Sequence, residues 1–336
     1  MESNIEQRVS VALCTYNGER FLLEQLESIA AQTILPLELI ICDDNSSDST
    51  RKILKDFAET AAFSVQLHFN TENLGYVKNF EKAISLCRGD IIALCDQDDK
   101  WRVDKIEVLQ KYFANPKVGM AFSNAVIIDE SGQPTGQTLW NEVNFTPVLQ
   151  QSFRQGDAYK ALYVRTLISG CVMAFRRKWW PLLQPIPLDI LFVHDAWIAL
   201  MVSLFADIVI IDDFLVSYRI HTDQSISLGR EKNSALEKLI SVRNGTKSQH
   251  YNKQLNQFIA IRERIFQNEQ NIIVEKRSYL LQQMKGHESH LIMRRNVPRN
   301  RLLRLGSILK ELASGRYHLY SNGFKSAFID LLKSPG

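Results

Sequence analysis

A chain of 336 residues, 45% apolar and 23% charged, has the material for a folded core and the length for two domains, or one large domain with an appendage. Its formal net charge of +3 is too small to point to nucleic acid. The opening MESNIEQRVS lacks a basic start followed by an apolar run, and no stretch of about 20 apolar residues occurs, so neither a signal peptide nor a membrane span is expected and a cytoplasmic place is.

Strands and helices alternate along the first third. VSVALCTY (9–16) reads as a strand, and ERFLLEQLESIAAQ follows with Leu22, Leu26 and Ile29 on one helical face. LELIICDD is a second strand, SSDSTRKILKDFAE a helix that opens with capping residues, VQLHFN a third strand, VKNFEKAISL another helix and DIIALCD a fourth strand. Nearly continuous apolar strands between helices predict a mostly parallel sheet covered on both faces. GMAFSNAVIID and GCVMAFRR are strand-like, HDAWIALMVSLFA is a short helix, IVIIDDFLVSYRIH is extended, and the chain is helical and basic from about Lys232. Cys14, Cys42, Cys87, Cys95 and Cys171 are odd in number without metal-ligand spacing, and read as buried free thiols of a reducing compartment.

A parallel sheet binds ligands beyond the carboxyl ends of its strands. There the sequence places TYNGE after the first strand, DDNSSD after the second and DQDD after the fourth. The first turn has one glycine, which excludes a dinucleotide fingerprint; no phosphate-binding GxxxxGK[ST] loop or nucleophile elbow occurs. Asp96, Asp98 and Asp99 crowd three carboxylates together, which repel unless a positive charge lies between them. A hard divalent cation, Mn²⁺ or Mg²⁺, brought in with a diphosphate meets that need. Arg219 and His221, two apart on a strand, share a face and could reach the same diphosphate, with His221 a possible metal ligand or simply a solvated strand end.

The pieces VSVALCTYNGERFLLEQLESIAAQT, LELIICDDNSSDST, NLGYVKNFEKAISLCRGDIIALCDQDD and HDAW resemble family-2 glycosyltransferases of the GT-A fold, over most of residues 9–225. DQDDKW with HDAW and YRIH resembles the bacterial branch that includes rhamnosyltransferases of surface-polysaccharide synthesis, with dTDP-L-rhamnose as donor. The resemblance implies that Thr15, Tyr16, Asn17 and Glu19 hold the nucleoside and that Asp44 contacts base or ribose. It implies that Asn73, Gly75 and Lys78 close over the nucleotide. Asp96 and Asp98 form the D-x-D motif; Asp98 or Asp99 binds the metal, unless Asp99 caps the following helix. Asp195 is the expected base of an inverting transfer, or else a helix-start acid; His194 orients it or lines the acceptor site. Gly170 in SGCVMAF borders the sugar, and Trp101 and Trp197 either stack on sugars or belong to the core.

The implied organisation is a GT-A catalytic domain over 1–228, with about 1–115 binding the nucleotide-sugar and 116–228 facing the acceptor, then a basic helical region over 229–336. In that region Leu305, Ile308, Leu309 and Leu312 have amphipathic-helix spacing among Arg and Lys, which suits an anionic membrane surface or packing on the catalytic domain. The implied partners are a nucleoside-diphosphate sugar and a saccharide or polyprenyl-linked acceptor. A non-catalytic sugar-nucleotide binder and a sugar nucleotidyltransferase are the alternatives.

Overall fold

The computed structural model describes residues 7–222, 246–298 and 300–332. The chain forms two compact units, Met1–Ile186 with Phe192–Gly229, and Pro187–Leu191 with Arg230–Gly336. The expected boundary at 228/229 lies outside the described residues.

In the first unit β1 (Val9–Thr15), β2 (Glu38–Asp43), β3 (Ser64–Phe69) and β4 (Ile91–Cys95) alternate with α1 (Leu22–Ala30), α2 (Thr50–Thr60) and α3 (Tyr76–Leu86). Then come β5 (Lys100–Trp101), α4 (Lys105–Phe113), β6 (Val118–Ile128), β7 (Pro134–Thr138), α5 (Leu139–Glu142), α6 (Pro147–Arg154) and α7 (Ala158–Leu162). A tight turn at Gly170–Val172 leads into β8 (Met173–Arg176), α8 (Trp180–Leu183), α9 (His194–Phe205) and β9 (Asp207–Arg219). One sheet runs in the order β3-β2-β1-β4-β8-β6-β9-β5, with β7 paired to β6. This is the GT-A architecture.

The four N-terminal strands are parallel, as their apolar runs suggest. Beyond β4 the sheet is mixed: β8 runs antiparallel to both β4 and β6, and β6 runs parallel to β9. Continuous apolar runs report burial on both faces, which antiparallel β8 shares with the parallel strands β1, β2 and β4, so they do not encode direction. Helix α9 is buried along its whole length, the consequence of an apolar composition all round. Trp101 and Trp197 belong to this core; the Trp197 indole donates to the Leu183 carbonyl at 2.9 Å. All five cysteines are buried without disulfides.

The second unit contains α10 (Thr246–Gln267), α11 (Val274–Arg295), α12 (Arg301–Ala313), α13 (Arg316–Tyr320) and α14 (Phe324–Leu331). Phe258, Ile261, Ile265, Leu280 and Met284 are buried in it, and Ile308, Tyr317 and Ala327 form a further cluster with Met293 and Leu312 packed against them. Polar contacts tie its end together: the ion pairs of Arg294 with Asp330 at 2.6 Å and of Glu311 with Arg316 at 2.7 Å, and a hydrogen bond at 2.8 Å between Glu311 and His290, a histidine whose pKa burial lowers. The apolar face expected on α12 is therefore divided. Ile308 and Leu312 face the cluster, whereas Leu305 and Leu309 stay exposed. Among the described residues no helix is long and apolar enough to cross a membrane.

Candidate active site

Sheet register gathers the three polar clusters. Thr15 lies opposite Asp43 across β1 and β2, and Leu13 opposite Cys95 across β1 and β4. The segments after these strands surround a cavity of about 630 Å³ that includes Thr15, Tyr16, Asn17, Asp44, Asn73, Asp96, Asp98 and His221 in its lining. Phe21, Tyr76, Gln97, His194 and Tyr218 line it too. No residue between 132 and 165 does, so the long excursion after β6 does not shape this cavity.

The walls are held by hydrogen bonds between loops. Asp43, fully buried, accepts from the Thr15 hydroxyl at 3.1 Å, the Ser46 amide at 3.1 Å and the Arg51 guanidinium at 2.7 Å. Asn17 takes a left-handed conformation at φ 46°, tolerable for Asn, and accepts from the Ser47 amide at 2.9 Å. The Gln97 amide bridges Tyr16, accepting from its N–H at 2.8 Å and donating to its carbonyl at 3.1 Å. That bridge presents Tyr16, which is about half exposed, at the cavity mouth.

Asp44 fixes the opposite wall. Its carboxylate accepts from the Leu74 and Gly75 amides at 2.8 and 2.9 Å and from the Asn70 side chain at 2.9 Å. Gly75 has φ +79°, a conformation that favours glycine, and it starts α3. Asp44 thus pins residues 70–75 as well as facing the cavity. Three residues expected at the nucleotide do not line the cavity. Glu19 accepts from the Ser49 amide at 2.8 Å, before α2; Lys78 pairs with Glu81 at 2.9 Å on α3; and Arg219 is nearly buried.

The Arg219 guanidinium donates to the Asp98 carbonyl at 2.8 Å and the Asp129 carbonyl at 3.2 Å and pairs with Glu24, while its amide donates to Asp99 at 3.0 Å. A guanidinium so engaged braces the DQDD turn; the diphosphate contact expected of it does not fit this geometry. The expected strand-face pairing of Arg219 with His221 gives way to a division of labour, because His221 meets the Asp98 carboxylate at 2.9 Å in the cavity.

The acidic turn separates by depth. Asp96 and Asp98 are half-buried and line the cavity, whereas Asp99 is fully buried beneath and is not a helix cap, since α4 begins at Lys105 after Asp104. Burial first, then the Asp99 and Asp98 charges, push the Asp96 pKa well up. Burial and Asp98 push Asp99 up to about 7. The chain supplies part of the answering charge itself. Lys105, fully buried, donates to the Cys171 carbonyl at 2.7 Å, lies 3.8 Å from the Trp101 ring centroid and offsets the Asp96 and Asp99 charges. Burial lowers its own pKa to about 8. Lys105 escaped the sequence reading; its signal was a lysine three and four residues before Val108 and Leu109, on the apolar face of a helix.

The cluster remains short of positive charge: Lys105 answers Asp96 and Asp99, and the Cys171 thiol beside Asp99 brings no charge. Asp96, Asp99 and Cys171 bring one candidate ligand atom each within 4.8 Å of one another. Burial raises the Cys171 pKa, so the sulfur stays a neutral thiol and suits a hard cation poorly. The carboxylates of Asp96 and Asp98, with His221 beside them in the cavity, are the better donor set for Mn²⁺ or Mg²⁺.

Asp195, at the start of α9, is 8% exposed and is not among the residues that line the cavity, although its neighbour His194 is. Its oxygens accept from the Gly170 amide at 3.1 Å and the Ala196 amide at 2.5 Å. A Cβ on Gly170 would come 3.3 Å from His194 and 3.8 Å from Asp195, so the glycine keeps this wall thin. Burial raises the Asp195 pKa to about 6 against those two bonds. His194 stacks on Phe80 with ring centroids 4.1 Å apart, and burial lowers its pKa to about 3, which keeps the ring neutral.

Residues 10–180 match Glycosyl transferase family 2. The chain belongs to this family. Similar proteins include the Glucosyl-dolichyl phosphate glucuronosyltransferase of Haloferax volcanii, 36% identical over 124 residues, 36% of this chain and 39% of that protein. The Putative glycosyltransferase EpsH of Bacillus subtilis is 24% identical over 75% of this chain and 74% of its own. An uncharacterized protein of Mycobacterium tuberculosis is 28% identical over 63% of this chain, and the match spans only 59% of that protein's length. In fold the chain is similar to S. aureus TarS 1-349 in complex with UDP-GlcNAc, at a TM-score of 0.56 and 14% identity, covering 96% of this chain and 88% of that one.

Proposed function

We propose that the protein is an inverting glycosyltransferase that moves a sugar from a nucleoside-diphosphate donor to a saccharide or polyprenyl-linked acceptor in the synthesis of a bacterial surface polysaccharide. The observation that carries this is the cavity at the carboxyl ends of β1, β2 and β4, roomy at about 630 Å³ and acidic at Asp96 and Asp98. Family membership and the fold shared with a protein bound to UDP-GlcNAc support it. The Putative teichuronic acid biosynthesis glycosyltransferase TuaG of Bacillus subtilis, 29% identical over 132 residues, supports the polysaccharide setting. The motifs of the rhamnosyltransferase branch make dTDP-L-rhamnose the first donor to try.

In this reading Tyr16 flanks the nucleoside at the mouth, and Asp44 with residues 70–75 forms its far wall. Asp96, Asp98 and His221 would hold Mn²⁺ or Mg²⁺; bound there, the cation neutralises charge on the leaving diphosphate. Asp195 takes the acceptor proton. Its raised pKa, about 6, suits a base that is ionised at neutral pH yet still accepts a proton readily. Neutral His194, stacked on Phe80, lines the cavity next to Asp195 in the chain. Lys105 and Arg219 hold the acidic turn in place.

The test is a panel of nucleotide sugars with Mn²⁺, followed by release of nucleoside diphosphate with and without an oligosaccharide or polyprenyl-phosphate acceptor. Acceptor-stimulated release is expected. Binding without release would favour the non-catalytic reading, and pyrophosphate formation from a nucleoside triphosphate and a sugar phosphate would favour a nucleotidyltransferase.

A further inference from the structure

The C-terminal unit carries apolar surface that its own core leaves uncovered. On α12, Leu302, Leu305 and Leu309 follow i, i+3, i+7 spacing and are 80%, 41% and 55% exposed. On α14, Phe324 and Phe328 lie one turn apart and are 71% and 61% exposed. These helices pack on each other through their other faces, where Ile308 and Ala327 are buried with Tyr317. A single exposed leucine is ordinary; a row of leucines and a pair of phenylalanines on two packed helices is not.

Charge identifies the occupant. Residues 296–336 contain seven Lys and Arg but two acids, Glu311 and Asp330. Both acids are buried and paired, Glu311 with Arg316 and His290, Asp330 with Arg294. Among its described residues this stretch therefore shows exposed Lys and Arg side chains, Arg301, Lys310 and Lys325, and no exposed acid. A protein interface would favour Arg over Lys beside its aromatic residues, and two of the three exposed cations here are Lys. Leu and Phe rows on two helices whose own exposed charges are all positive match the boundary of an anionic bilayer, where apolar side chains enter beside the acyl chains and cations meet the phosphates.

We propose that α12 and α14 dock this unit on an anionic phospholipid surface, with Leu302, Leu309, Phe324 and Phe328 inserted and Arg301, Lys310 and Lys325 against the headgroups. The sequence alone suggested a different row, one including Ile308 and Leu312, which the structure turns inward. The inference does not depend on the glycosyl-transfer reading, and its test needs no substrate.

The full chain is sedimented with phosphatidylcholine vesicles with and without phosphatidylglycerol, at low and high salt. Truncation is a poor probe, because Arg294 and Asp330 tie the end of the chain to the unit. The double variants Leu302→Ser/Leu309→Ser and Phe324→Ser/Phe328→Ser change exposed positions, and unchanged melting curves check their folds. Wild type is expected to bind only the anionic vesicles, more weakly at high salt, and each double variant to lose about tenfold or more in partitioning. No binding at low salt, or equal binding by wild type and both folded variants, would overturn the proposal. So would a concentration-dependent dimer, abolished by the same substitutions, in a protein that ignores vesicles.

Discussion

Replacing Asp195 with Asn separates the chemistry from the fold. Burial lifts this carboxyl from 3.8 to about 6. Two units correspond to about 3 kcal/mol favouring the neutral form in the folded state. The sign follows: the stability tied to this group is fully present below pH 3.8 and is lost as pH rises through about 6, so near pH 7.5 the ionised form costs about that amount. Asn removes the cost. It also keeps only one acceptor for the Gly170 and Ala196 amides, which leaves a buried N–H unsatisfied at about 1–3 kcal/mol. The two effects nearly cancel, so urea denaturation at pH 7.5 should find the variant within about 2 kcal/mol of wild type. Transfer, by contrast, should fall by about 10²–10⁴, the range for loss of a general base, with donor affinity unchanged. In wild type kcat/KM should fall below pH of about 6, and that limb should be missing from the residual activity of the variant. A folded Asp195→Asn protein that transfers sugar at close to the wild-type rate would refute the assignment. The base would then have to be sought elsewhere in the cavity, because His194, which lines it, has a pKa lowered to about 3 and is a weak proton acceptor.

Lys105→Met should destabilise the protein by about 3–5 kcal/mol at pH 7.5, between the Asp99 pKa of about 7 and the Lys105 pKa of about 8 where both are mostly ionised, because it strips the buried counter-charge from Asp96 and Asp99. The loss should shrink by pH 5, where Asp99, with a pKa raised to about 7, is already neutral; urea melts at the two pH values read this out, and a pH-independent loss would contradict it. Asp44→Ala removes the acceptor of the Leu74 and Gly75 amides and should weaken nucleoside diphosphate binding at least tenfold by releasing that wall, measured by calorimetry; unchanged affinity would show that the wall stands without it.

Much of this site was legible because strand ends are legible. Apolar runs mark β1, β2 and β4, and whatever follows them must meet beyond the sheet edge, which is how Thr15, Asp44 and Asp96 come together. Depth was not legible. Asp98 and Asp99 are neighbours in sequence, yet one turn puts the first in the cavity and the second under it, bonded to the Arg219 amide. Arg219 looked like a phosphate ligand because period-two spacing gives a shared strand face but says nothing of the carbonyls of Asp98, Asp129 and Glu130 that surround its guanidinium. The Gln97 bridge to Tyr16 joins residues 81 apart in sequence, a contact no local pattern carries. On α12 the spacing announced an amphipathic helix, but buried Arg304 and Glu311 place charge inside and leave Leu302 and Leu309 outside, the reverse of what polarity alone suggests.

Calorimetric titration of the protein with UDP, GDP and dTDP, each in the presence of Mn²⁺ and again in EDTA, asks whether the cavity is a metal-assisted nucleotide site. One nucleotide should bind clearly with Mn²⁺ and far more weakly in EDTA, and Asp98→Ala should abolish the difference. If none of the three binds with Mn²⁺, or if the metal makes no difference to the one that does, the cation-assisted nucleotide-sugar site placed at Asp96, Asp98 and His221 is wrong.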